Sequence, residues 1–145
     1  MEALLATDAS LSLLILRIVL GIIFFAHGAQ KVLGWYGGHG LIGTVEFMAS
    51  MGLPAPIAYM VCFFEFLGGI GLIVGFLTRL AALAIAVVMV GAIATVHWKN
   101  GFFMNWELTP GKGHGIEANL AFLAMALALF LDGAGLLSID RLILR

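Results

Sequence analysis

Six ionisable side chains interrupt stretches that are otherwise almost wholly apolar: Arg17, His27, Lys31, Glu65, His97 and Glu117. Each is costly in hydrocarbon, by about 2.5–3.5 kcal/mol for an Arg, Lys or Asp at a helix centre on insertion scales. Groups of this kind face one another or a cavity, and they mark routes for ions, protons or substrates. Their types suggest two chemistries. Histidine titrates near neutrality and a carboxyl group carries a proton, so the set could move protons. A quinone headgroup needs this service: hydrogen bonds to its carbonyl oxygens, and protons delivered as electrons arrive. Phe24, Phe25, Phe63, Phe64 and Trp98 offer surface against which a ring could pack. The second chemistry is metal binding by His and carboxylate, although the Glu-x-x-His pattern of four-helix carboxylate centres is absent. Haem would need His27 and His97 at one depth, and there is no attachment motif. His27, Glu65, His97 and Glu117 are thus the catalytic candidates. Arg17 and Lys31 join them as cofactor-binding candidates, with quinone the first expectation and metal or haem the alternatives.

The elements that must position these groups follow from composition. Hydrophobic residues make up 63% of the 145-residue chain and charged residues 10%, against about 45–50% and about 25% in a soluble domain. Such a chain cannot cover itself in water, and lipid is the solvent that suits it. The net charge of -1 gives no electrostatic case for nucleic acid. The single cysteine, Cys62, cannot form an intramolecular disulfide. The first apolar stretch is preceded by Glu2 and Asp8 without Lys or Arg and is too long for a cleaved leader, so it reads as a retained span.

A bilayer core needs about 20 apolar residues of helix. Four stretches qualify: Leu11 to Leu33, Pro54 to Leu77, Leu80 to Trp98, and Gly115 to Leu131. The expected fold is therefore an all-α, four-helix membrane bundle, one domain over residues 1–145. Thr78–Arg79 reads as a tight turn. Between Gly40 and Gly52, Leu41, Val45, Met48 and Met51 keep a helical period, which predicts a short interfacial helix. Trp35, Tyr36, Trp98 and Trp106 fall near one side as an aromatic belt. Gly71 and Gly75 form a G-x-x-x-G pair suited to close helix packing. Ala121, Ala124 and Ala128 share a helix face with Glu117, which predicts that this face points inward.

Helical geometry sorts the ionisable groups. Arg17 and Lys31 lie about 40° apart around the helix at 100° per residue, and His27 is four before Lys31 on the same face. Two linked clusters are expected: a buried Arg17–Glu65 ion pair, and a pocket of His27, His97 and Glu117 with Lys31 at its rim. Structural alternatives stand beside each. The ion pair could simply fix helix register, Lys31 could reach to the interface, His97 could be an interfacial histidine, and Glu117 could sit at a helix start for its dipole.

At this point the residues resemble a known family. Arg17-Ile-Val-Leu-Gly21 followed by Phe25-Ala-His27-Gly28-Ala-Gln-Lys31 is similar to the first span of the DoxX family, and Glu65-Phe-Leu-Gly68-Gly69 to its second. His97 ending the third span and Gly115-Ile-Glu117 opening the fourth match the rest. The resemblance implies a small bacterial inner-membrane protein with a quinone- or sulfur-linked redox role. Partners expected are the lipid bilayer, a redox protein to supply electrons, and a second copy of the chain. A small-solute or proton transporter and a non-catalytic assembly protein are the alternatives. Charge places the termini in the cytoplasm, with Arg79, Arg141 and Arg145 on their side and Lys31, Lys99 and Lys112 on the other.

Overall fold

The computed structural model describes residues 2–144, apart from the side chain of Ala3; Arg145 lies outside the described residues. The described residues form helices and no strand. A short α1 (Glu2–Leu5) leads into α2 (Leu11–Val32), α3 (Gly40–Ser50), α4 (Ala55–Val74), α5 (Thr78–Ala92), α6 (Glu117–Asp132) and a terminal α7 (Ile139–Ile143). Beyond α5 the helix continues through a π-helical turn, Ile93–His97, and a 3-10 turn, Trp98–Asn100. In the bundle α2 packs on α4, α4 on α5, α5 on α6 and α6 on α2, while α3 lies against α4 and α2. Leu20, Phe24, Leu72, Ile85, Ala126 and Leu129 fill its centre.

Three of these helices are long and apolar enough to cross a membrane: Leu11–Val32, Ala55–Val74 and Thr78–Asn100. The fourth, α6, has 16 residues. At 1.5 Å per residue it measures about 24 Å, short of a hydrocarbon core of about 30 Å. Ile15, Val19 and Ile22 on α2 face outward, as do Phe63, Leu67 and Ile70 on α4 and Leu83, Val87 and Val90 on α5. The outside is as apolar as the inside, as lipid requires.

The ends of the helices explain several departures from the expected pattern. Pro54 precedes α4 and Pro56 sits in its first turn, where a missing N–H costs least. Gly75 does not continue α4 as a packing surface. It terminates the helix at φ 69°, a left-handed conformation that suits glycine. The turn therefore lies at Gly75–Leu77, and Thr78 and Arg79 already belong to α5. The start of α5 is capped from the far end of the chain. Asp140, buried, accepts from the backbone N–H of Leu77 at 2.7 Å and of Thr78 at 2.9 Å, and its own N–H donates to the Gly75 carbonyl at 2.8 Å. Arg79 closes the opposite end of α6, donating to the Phe130 and Leu131 carbonyls at 2.6 Å each and to Ala6 at 3.0 Å.

The buried face of α6 also differs from expectation. It carries Asn119, Ala126 and Leu129, while Ala121 and Ala124 are exposed. Large side chains are needed to fill the centre: Phe122 meets Phe24 edge-on at 5.7 Å. Lipid gains nothing from excluding an alanine, so the small residues turn outward. The interfacial helix forms as expected, with Thr44 and Val45 buried.

Candidate functional site

The site is set by how closely α2 approaches α4. A Cβ added to Gly28 would overlap the Phe66 backbone, and one on Gly69 would overlap the backbone of Phe25. On Gly21 it would stand 2.9 Å from the Ile73 nitrogen. Glycine is required at these contacts because a backbone presses against each. The three contacts keep one antiparallel register, which brings Glu65 level with about residue 29 and Arg17 level with about residue 77.

That register decides the ion pairing. Lys31 Nζ lies 2.5 Å from Glu65 Oε2, with the lysine side chain 21% exposed and the carboxylate 7%. The expected Arg17–Glu65 pair does not form, because about twelve residues, or about 18 Å along the helix, separate the two. Arg17 instead lies wholly buried among backbone carbonyls. Nη1 donates to Leu72 at 2.6 Å and Ile73 at 2.7 Å, Nε to Ala134 at 2.9 Å, and Nη2 to Leu137 at 2.9 Å and Leu136 at 3.3 Å. Leu72 and Ile73 offer carbonyls from the last turn of α4, which no residue within that helix can satisfy. The negative end of the helix dipole favours a cation there. Gly75 makes the room, since a Cβ on it would come within 2.9 Å of the guanidinium carbon.

His27, one turn before Lys31 on the same face of α2, has an exposed side chain. Its ring centroid is 6.5 Å from that of Phe24. Phe25, its other aromatic neighbour in sequence, stacks on Phe66 at 5.8 Å. A polar ring thus stands one turn from a mostly buried ion pair.

His97 and Glu117 belong to a second cluster, organised by the connection between α5 and α6. His97 Nδ1 lies 2.8 Å from the His114 carbonyl. A carbonyl only accepts, so Nδ1 carries the proton and Nε2 is left as an acceptor. Asn100 donates to the same carbonyl at 2.9 Å. Glu117 Oε2 accepts from the Met104 N–H at 3.0 Å. Buried Asn105 ties the connection together, donating to the carbonyls of Thr109 at 3.1 Å and Lys112 at 2.7 Å. Lys31 gathers with Glu65, one turn from His27, while His97 and Glu117 are each tied to the α5–α6 connection. Among the described residues no ion pair joins the two groups, and no three His, Cys, Asp or Glu side chains converge as a metal site would need. Asp140, Arg79 and Asn105 were not among the expected functional positions. The only sequence signal for Asp140 was its place two residues after the capping Ser138.

Comparison with known proteins now bears on this geometry. The DoxX family model matches residues 12–98, a segment that contains the whole α2–α4 site. The chain belongs to the DoxX family. Among its relatives, a Bacillus subtilis (strain 168) protein named "Putative oxidoreductase CatD" is 33% identical over 91% of this chain and 87% of its own length. Escherichia coli (strain K12) "Inner membrane protein YqjF" is 30% identical, with 90% of each chain covered. "Inner membrane protein YphA" of the same strain is 32% identical over 89% of this chain and 88% of its own length. No solved structure matches the chain. Membership of the DoxX family and the apolar helices agree that this is a multi-pass membrane protein. The DoxX match holds Arg17, His27, Lys31, Glu65 and His97 and leaves Glu117 outside it.

Proposed function

We propose that this DoxX-family protein is the quinone-handling component of an oxidoreductase in the bacterial inner membrane, with His27, Lys31 and Glu65 at the quinone headgroup. The observation that carries the reading is an exposed histidine one turn from a mostly buried Lys31–Glu65 pair. A lipid-soluble ring reaches such a site sideways from the bilayer, without crossing water. The relative named as an oxidoreductase supports the same class of chemistry.

Reduction of a quinone to a quinol consumes two electrons and two protons. The electrons come from a redox partner protein. The protons would come from water by way of this chain's own groups: His27 would hydrogen-bond one carbonyl oxygen and pass it a proton as negative charge develops, and Glu65 would take up a proton and pass it to the other oxygen. Lys31 balances the charge on Glu65 while that carboxyl is ionised and releases it when it is protonated. His97 and Glu117 act at a distance, as positioning residues that hold the connection over this end of the bundle.

The test is quinone content by solvent extraction of purified protein, with quinone titration of the extracted sample. His27→Ala and Glu65→Gln should each weaken binding at least about tenfold, about 1.4 kcal/mol. Undiminished binding in both variants defeats the proposal.

We infer that both termini face the cytoplasm, with α6 making a fourth crossing. Arg17, Arg79 and Arg141 lie toward that side and Lys31, Lys99 and Lys112 toward the other. A green fluorescent protein fused to the C-terminus should be bright. A dark fusion, together with an active alkaline phosphatase fusion at the same point, reverses the orientation.

A further inference from the structure

The antiparallel pair α5 and α6 is badly matched in length, and the mismatch has a direction. Asn119 donates to the Met89 sulfur at 3.5 Å, and Arg79 donates to Phe130 and Leu131. The two contacts fix a register in which Glu117, the first residue of α6, is level with about residue 92 of its neighbour. The neighbour runs on to Asn100. It therefore overshoots α6 by about eight residues, or about 12 Å. Residues 101–116 fold back beside that overshoot, as the His97–His114 hydrogen bond requires. They occupy membrane depth that a longer fourth helix would have filled.

This connection has two properties suited to such a position. The two ends of its backbone pair with each other: Gly101, Phe102 and Phe103 offer carbonyls to the N–H groups of Ile116, Glu117 and Gly115 at 3.1, 2.9 and 3.1 Å. Irregular backbone near hydrocarbon must be paired in this way. Its outward side chains include several large apolar ones, with Glu107, Thr109 and His114 exposed between them. Phe103 is 71% exposed, Trp106 77% and Leu108 74%, with Trp98 at 70% beside them. Lys99 and Lys112 stand among them, also exposed, as cations that anionic headgroups attract.

We propose that residues 101–116 are immersed in the headgroup and upper acyl region of the leaflet opposite the termini, with Phe103, Trp106 and Leu108 inserted among the lipids. The proposal is independent of any quinone. It assigns this apolar surface to the protein's own bilayer rather than to a second copy or a soluble partner.

The experiment uses the full chain with Trp35→Phe and Trp98→Phe, which leaves Trp106 as the only tryptophan. It is reconstituted in phosphatidylcholine vesicles brominated at acyl carbons 6,7 or 11,12. Immersion predicts at least twofold quenching by the 6,7 lipid, weaker quenching by the 11,12 lipid, and little effect of aqueous iodide. The difference between the unaltered protein and Trp106→Phe reads the same quantity should the double substitution misfold. Strong iodide quenching with none from bromolipid would put the connection in water and overturn the proposal. Insensitivity to both quenchers would mean that protein covers it, which overturns the proposal equally.

Discussion

Arg17→Met should abolish the folded protein in detergent, not merely impair a site. The guanidinium accepts nothing and donates to five carbonyls drawn from α4 and from the segment before α7. Methionine matches it in length and removes every donor. An orphaned buried polar group costs about 1–3 kcal/mol, and breaking up a buried charged set costs about 3–5 kcal/mol. A loss of at least about 5 kcal/mol follows, comparable with the whole stability of a small domain at about 5–15 kcal/mol. Arg17→Lys keeps the charge but has three donors for five acceptors, so it should fall between. Size-exclusion profiles and thermal melting of the purified variants measure this. A monodisperse Arg17→Met protein melting within about 2 °C of the unaltered one would show that the carbonyl cluster does not hold the bundle.

The reading of Arg17 shows where sequence reasoning reached and where it stopped. The residue types were enough to pick out the six ionisable positions, because a charge in an apolar span is conspicuous without any structure. They were also enough for the helices and for the interfacial segment, whose periods are local. Pairing was another matter. Glu65 could be matched with Arg17 or Lys31 only by knowing the register of α2 on α4, and that is set by where Gly21, Gly28 and Gly69 meet a backbone. Nothing in a single sequence says which of nineteen glycines make such contacts. Gly71 and Gly75, at the textual spacing of a packing motif, face a turn and a guanidinium instead.

The same limit explains Asp140 and Glu117. Asp140 sits 62 residues from the N–H of Thr78 that it caps, and a carboxylate so remote leaves no periodic trace. Glu117 is expected in the pocket from its depth, and a place at a helix start is the alternative. Its carboxylate is in fact engaged with the Met104 N–H, so its position reflects the folding of the α5–α6 connection. Intramembrane acids and bases are thus of two kinds here. Arg17, Asp140 and Glu117 are engaged by backbone and hold helix ends together. Lys31 and Glu65 are engaged by each other, one turn from His27.

Gly28→Ala tests the geometry on which that distinction rests. The added methyl would meet the Cα and nitrogen of Phe66 at a distance no real contact allows. Both atoms are backbone of α4, so no side chain can turn away, and the helices must separate. Overpacking of this kind costs about 1–3 kcal/mol, occasionally more, and backbone against backbone belongs at the upper end. The separation acts one turn from Lys31 and next to Glu65, so the ion pair should loosen along with the fold. Gly91 supplies the control, because a Cβ there has nothing within 4 Å. Gly91→Ala should leave stability unchanged or raise it by up to about 1 kcal/mol, since alanine is the better helix former. The two substitutions are chemically identical and both lie in spans, so a common effect on lipid or detergent cancels. Gly28→Ala should melt well below Gly91→Ala in the same detergent, and should also lose quinone affinity if Lys31 and Glu65 serve the headgroup. Equal melting temperatures would mean that α2 and α4 do not meet through Gly28, and the register that joins Lys31 to Glu65 would fall with it.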